Sequence, residues 1–402
     1  MKKLLMAGFV ILFFILNSSN SVIADNISFD NAEIICTSWL ETIISQQGNW
    51  NEQENPSIKS STKLYNKNLL VGYIFHIDPS GYVIIPSINE LSPIKSWSET
   101  GSFQKIEEYV IENLYQRVNL SLELTKEQKL AAFPKANINY LLHSQLLYGK
   151  LELEKNEHFG PLLTTTWHQD YPFNTLAPMG DGGRTFVGCT SLATAQIINY
   201  HEWPIFGEGV EEWWWEGDTN CGSSTPGSWI IANFRDKYNY EYMEDHVDGN
   251  SNQNVKDAVS ELAFEVSAAL HADYSRCGSG ASISSARYAL INNFKYKSSS
   301  QGLRRFDHPN EEEWFSIIQE EINNNRPVLY SSLIHAMVVD GWKNYNGINQ
   351  IHINYGWAGE NDNWFSLDEI ETSYYWATEN MVIGIEPKRE NPNSFIKLIE
   401  WM

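Results

Sequence analysis

Basic residues are scarce in this chain: 28 lysines and arginines stand against 50 aspartates and glutamates, a formal net charge of −22 over 402 residues. Nucleic acids and anionic membranes are bound through basic surface, so the balance argues against both partners and speaks mainly for solubility. Cysteine is scarce too, and four of them cannot make a disulfide scaffold. Cys221 and Cys277 both lie in Gly/Ser-rich loop sequence and could pair in an oxidising compartment, though no spacing rule connects them; Cys36 has no obvious partner. No stretch reaches the roughly 20 consecutive apolar residues that a spanning helix needs, so no membrane anchor is expected. His-Glu-x-x-His, paired Cys-x-x-Cys and a Gly-rich phosphate loop are all missing, and His271, Cys277 and His352 are too scattered to read as ligands. No metal or other cofactor is therefore expected, and no internal repeat is visible.

What the chain does have begins at its start. Lys2 and Lys3 precede a 13-residue run from Leu4 to Leu16 that is apolar apart from small residues, and Val22 and Ala24 stand at cleavage-like positions. This reads as a signal peptide over residues 1–24 and implies a secreted protein. No cysteine lies at the cleavage site to carry a lipid.

Cys189 is the most informative residue. It sits in Arg184-Thr-Phe-Val-Gly-Cys-Thr-Ser-Leu-Ala-Thr-Ala-Gln-Ile-Ile-Asn-Tyr-His-Glu-Trp-Pro204, where a small-residue loop runs into a helix that must end before Pro204. A thiol at a helix start meets the positive end of the dipole and unpaired first-turn N–H groups, both of which favour the thiolate. The alternative for a lone cysteine is a buried, inert thiol. About 146 positions downstream, Leu333-Ile-His-Ala-Met-Val-Val-Asp-Gly-Trp342 places a histidine at the head of an apolar strand. Cysteine first and histidine later at this separation is the order of papain-like peptidases. The next strand, Gln350-Ile-His-Ile-Asn-Tyr-Gly-Trp357, follows an Asn/Gly-rich turn, so the two should pair as a hairpin and bring Asn354 to Trp357 alongside His335.

These segments resemble the streptopain family of papain-like cysteine peptidases. Trp167-His-Gln-Asp-Tyr-Pro-Phe-Asn174 is similar to the family's early Gln-x-x-Pro-Tyr-Asn segment, and Val187 to Ile197 to its nucleophile helix. Ala268 to Tyr274 with Gly278-Ser-Gly280, Asn325 to Ser331, and His352 to Trp357 then match in order. The resemblance implies Cys189 as nucleophile, His335 as its base and acid, and Trp357 steadying the histidine, with Asn354 as the other candidate for that role. It also implies Gln169 and the Cys189 N–H as oxyanion donors. The chain departs from the family at Ile334, where glycine is common, and at Tyr355, where tryptophan is usual. An aromatic of similar shape should still shield the pair from water.

The N-terminal region carries a strand pair, Leu69 to Ile77 and Gly81 to Pro86, joined by the turn Asp78-Pro-Ser-Gly81, then helical stretches around Ile106 to Val118 and Leu141. Gly81-Tyr-Val-Ile-Ile-Pro-Ser87 followed by Ser96 to Phe103 resembles the propeptide of streptopain-like zymogens, implying an intramolecular inhibitor. The expected fold is α+β: a papain-like two-lobed peptidase preceded by a small α+β propeptide domain. The divisions are signal peptide 1–24, propeptide 25–155 and peptidase 156–402, with Glu152 to His158 as a charged linker. A helix is expected over about Val255 to Leu270 and a late strand over Met381 to Ile385. The implied partners are protein or peptide substrates and the chain's own propeptide.

Two other readings remain open. Cys–His chemistry also serves enzymes that cut amides in bacterial cell-wall peptides. Alternatively, Val210-Glu-Glu-Trp-Trp-Trp-Glu216 could be the aromatic platform of a binding module. Because three adjacent tryptophans cannot all face one side of a strand, Trp213, Trp214 and Trp215 are read as a loop packed against the core or between lobes.

Overall fold

Alternating apolar residues and turn chemistry build one large, mainly antiparallel sheet. The computed structural model describes residues 26–389, apart from 101–102, 104–106, 126–127, 130–131, 134, 149–156, 223, 333–334, 346 and 368–378. The signal-peptide reading and most of the expected linker thus lie outside the described residues.

The N-terminal region comprises helix α1 (Phe29–Gln47), strands β1 (Ser57–Asn66), β2 (Leu69–Asp78), β3 (Tyr82–Pro86) and β4 (Ser96–Ser98), and helices α2 (Glu107–Glu123) and α3 (Ala136–Leu147). Next come β5 (Glu157–Phe159), β6 (Met179–Gly180), β7 (Gly183–Arg184), α4 (Cys189–His201), β8 (Val210–Asp218), β9 (Thr225–Asn233), α5 (Gln253–Ala269) and α6 (Ile283–Asn292). The chain continues through β10 (Gln301–Arg304), α7 (Glu311–Asn323), β11 (Val328–Ser332), β12 (His335–Tyr345), β13 (Ile348–Asn354), β14 (Asn363–Ser366) and β15 (Asn380–Ile383).

The main sheet has 11 strands in the order β1-β2-β3-β4-β14-β13-β12-β11-β15-β10, with β5 added on β12. Its middle is the seam between the N-terminal region and the rest: Trp97 of β4 pairs with Trp364 of β14, and Ser96 with Phe365. Side chains reinforce that seam, with Asn363 donating to the Tyr82 hydroxyl at 2.7 Å, Trp97 to Gln350 at 2.9 Å and Lys135 to Glu311 at 2.7 Å. One apolar core runs through it, uniting Leu64, Ile74, Tyr82 and Ile84 with Trp314, Met337, Val339 and Tyr355. A second core packs α4, α5 and α6 into a helical lobe around Leu192, Ile198, Val259, Leu262, Val266 and Leu290.

Helix starts follow sequence-local chemistry. Ser28, Asn252, Ser282 and Asn310 cap α1, α5, α6 and α7 by accepting first-turn N–H groups. Helix α4 is different: Gly188 stands at its N-cap, and no side chain takes up its N–H groups.

Two expectations are corrected. Glu157 and His158, the end of the expected linker, are strand instead; with Phe159 they form β5 and pair with Asn344, Lys343 and Trp342 of β12. The three tryptophans lie on a strand, β8, paired with β9. Alternation resolves the packing problem: Trp215 is buried, Trp214 is exposed, and Trp213 turns inward to stack on His271 and donate to Ala268 O at 3.1 Å.

Candidate active site

The loop before α4 is shaped by Gly188. Its φ is +91°, and a Cβ there would sit 2.8 Å from the Ser279 carbonyl oxygen, so any side chain would push two loops apart. Ser279 in turn donates to Phe186 O at 2.6 Å, and Thr190 to Ala281 O at 2.8 Å. These ties fix Cys189 at the first helical position. The preceding Trp167–Asn174 segment is anchored by the buried Trp167 indole donating to Glu244 O, and Gln169 O accepts the Val187 N–H.

His335 arrives from the other lobe. Strands β12 and β13 pair with Val338 opposite Asn354, a register that continued outward sets His335 opposite Trp357. The rings meet accordingly: Trp357 lies 4.7 Å from His335, and Tyr355 is stacked on it at 5.7 Å with 12° between planes. The aromatic at position 355 therefore does shield the imidazole, as its shape suggested.

His335 Nε2 lies 2.9 Å from the backbone oxygen of Tyr355. A carbonyl can only accept, so Nε2 carries the proton and neutral His335 keeps its lone pair on Nδ1. Burial opposes ionisation of the Cys189 thiol, but the hydrogen bond and charge of His335 outweigh it, helped by the Ala336 N–H. Together they hold the thiol below its ordinary value. Ala336 N lies 3.4 Å from Cys189 Sγ. Cys36, by contrast, is a buried free thiol pushed up by desolvation, which is the inert behaviour that Cys189 escapes.

Asn354 does not touch the imidazole. Its Oδ1 accepts from Gln196 Nε2 at 3.1 Å and Gly356 N at 3.0 Å, and its Nδ2 donates to Thr165 O at 2.8 Å. The peptide unit between Tyr355 and Gly356 thus spans the two residues, its oxygen on His335 and its N–H on Asn354. Gln196 belongs to α4, the helix of Cys189, and accepts from the Thr165 hydroxyl at 2.7 Å. This buried ring joins the lobes and was not foreseen from sequence; the only signal was a glutamine on an otherwise apolar helix face. Asp362, also unforeseen, accepts the Tyr355 N–H at 2.8 Å, and burial raises its carboxyl to about 7.

Cys189, His335, Trp357 and Gln169 share the wall of one cavity of about 1290 Å³ between the lobes. The Gln169 amide makes no hydrogen bond among the described residues. Among those residues the cavity is lined only from His168 onward, so none of the described residues of the N-terminal region lines it. Strands β1–β4 of that region instead extend the sheet, and its helix α2 contributes Val110, Asn113 and Arg117 to a small cavity whose other walls include Met337 and Tyr355. Cys277 is disulfide-bonded; the side chain of Cys221 lies outside the described residues. No helix among the described residues is long and apolar enough to cross a membrane.

A thiol at a helix N-terminus, held by a strand histidine across a two-lobed cleft, defines a papain-like cysteine peptidase. Residues 167–365 match the model of the Peptidase C10 family, and the chain belongs to that family. It is similar to streptopain of Streptococcus pyogenes, 27% identical over 78% of this chain and 80% of that protein. It also matches the thiol protease/hemagglutinin PrtT of Porphyromonas gingivalis, 32% identical over 58% of this chain but only 27% of that longer protein. A prointerpain A fragment from Prevotella intermedia shares the fold, with a TM-score of 0.60 over 82% of this chain and all of that one, at 23% identity.

Proposed function

We propose that the chain is a secreted cysteine endopeptidase, made as a precursor, that cuts protein substrates through a thiolate–imidazolium pair of Cys189 and His335. The observation that carries this is the depressed Cys189 thiol facing an imidazole whose Nε2 proton is committed to Tyr355 O. His335 Nδ1 takes the thiol proton, and the thiolate attacks the scissile carbonyl carbon. The developing oxyanion is received by the N–H of Cys189, at the uncapped start of α4, and by the Gln169 amide. His335 returns the proton to the leaving amine, then takes one from water as it attacks the thioester, which frees the acid and restores the thiol. Trp357 and Tyr355 keep the imidazole dry, and Asn354 acts one peptide unit away by fixing the carbonyl that orients it.

In this reading residues 1–24 are the signal peptide, 25–155 the propeptide and 156–402 the peptidase. A cut within 150–156 leaves β5 attached and the catalytic sheet whole, which supports placing the boundary there. Inhibition by the propeptide then acts across the sheet beneath Tyr355, since its described residues do not fill the cleft.

Incubating the processed protein with casein and, separately, with purified peptidoglycan tests the reading. Casein hydrolysis lost in Cys189→Ala supports it. Peptidoglycan cleavage alone would move the chain to cell-wall amide hydrolysis, and no cleavage of either would make it a binding module.

A further inference from the structure

Besides Cys189 and His335, the active-site cavity has a branch of its lining made by Ser282, Ser284 and Arg287 of the α6 segment and by Gly302, Leu303 and Arg304 of β10. Two arginines, Arg287 and Arg304, and one carboxylate, Asp307, belong to this part of the lining. The situations of the two arginines differ. Arg304 is neutralised, its Nε and Nη2 gripping both oxygens of Asp307 at 2.8 and 3.1 Å. Arg287 has no carboxylate partner among the described residues. Its Nε donates to Ser300 O at 2.7 Å and its Nη2 reaches toward Ser298 O at 3.5 Å, both neutral carbonyls. A guanidinium has five N–H donors; those of Nη1 are bonded to nothing in the described protein. The two carbonyl contacts hold the group in one orientation, so little side-chain freedom is lost when a ligand takes the remaining donors.

Resting on the peptidase reading above, we infer that Arg287 is a specificity-determining residue that receives a carboxylate of the substrate, and that the enzyme favours polypeptides with Asp or Glu at the position entering this branch. Asp170, the cavity's other acidic residue besides Asp307, follows Gln169 in the chain and makes no ion pair with Arg287.

The test uses the processed enzyme and peptides that differ only by Glu or Gln at one position, scanned across the sites flanking the cut bond. At one position Glu should be preferred over Gln by about 10- to 100-fold in kcat/KM, the range of a charge-assisted pair. Arg287→Met should bring that ratio to near one, and Arg287→Glu should turn the preference toward Lys. Because each ratio is read on one enzyme sample, it is independent of how much of a variant folds. Equal cleavage of Glu and Gln peptides at every position, or a Glu preference that survives in Arg287→Met, overturns the inference. Cleavage of no peptide at all would instead overturn the peptidase reading beneath it.

Discussion

Replacing Gln196 by Met tests whether the buried ring between the lobes serves catalysis or only stability. Methionine nearly matches glutamine in shape but removes two hydrogen bonds, from the Thr165 hydroxyl and to Asn354 Oδ1. The Thr165 hydroxyl is left buried without its acceptor, a cost of about 1–3 kcal/mol that added apolar packing partly offsets. A net loss near 2 kcal/mol corresponds to a Tm fall of about 4–8 °C for a domain of this size. Asn354 keeps its bonds to Gly356 N and Thr165 O, so the Tyr355 carbonyl is loosened rather than lost. We expect kcat to fall about 10-fold, some 1.4 kcal/mol of barrier, with KM within about twofold, since Gln196 does not line the cleft. Thr165→Val is the control. It removes only the hydroxyl's bond to Gln196, leaves Asn354 fully held, and should cost about 1 kcal/mol of stability with kcat unchanged. Steady-state kinetics and thermal melts on both variants decide: if kcat stays at the parent level in Gln196→Met, or falls equally in Thr165→Val, the ring does not position His335.

Trp357→Ala should lower kcat/KM about 10-fold, because the aromatic face 4.7 Å from the imidazole is worth about 1 kcal/mol to its charged form and also excludes water; undetectable activity would mean that Tyr355 alone cannot hold the ring. His143, fully buried in α3 with Nε2 on Leu91 O, is held down to about 4 by desolvation. An unfolded histidine titrates near 6.5, so the folded state resists protonation: the contribution to stability is complete above about pH 6.5 and is lost as pH falls toward 4, roughly 3 kcal/mol in all. Limited proteolysis should therefore show the N-terminal region loosening over that window, and less so in His143→Gln; identical profiles for the two would remove this cause. A precursor whose residues 150–156 are made uncleavable should hydrolyse a small peptide far more slowly than the processed enzyme. Full activity of that precursor would leave the N-terminal region as a folding aid only.

Much of the site was legible because its chemistry is local. Cys189 at a loop–helix junction, the Asn/Gly turn that pairs β12 with β13 and so brings Trp357 to His335, and the helix at 253–269 each rest on neighbours within a few residues. The misses are of two kinds. Helix α1, absent from the sequence reading, has local signals, with Ser28 as cap, Gly48 left-handed at its end and Ile35, Trp39 and Ile43 on one face. The others were not readable. That Glu157–Phe159 adds to β12, or that the Asn354 amide points to Gln196 and not to His335, depends on contacts between segments far apart in sequence. Three adjacent tryptophans read as a loop from sequence because nothing local to them shows that β9 pairs with their strand and lets its faces alternate.

The pairing of Cys189 with His335 is tested most directly by the pH dependence of alkylation at that thiol, followed by peptide mass spectrometry on the folded protein. An ordinary thiol titrates near 8.5. With the pair intact, Cys189 should be alkylated rapidly well below that pH while buried Cys36 stays unmodified, and His335→Ala should return the Cys189 profile to the ordinary thiol range or above. Alkylation of Cys189 with the same pH profile in the parent and in His335→Ala would contradict the pair.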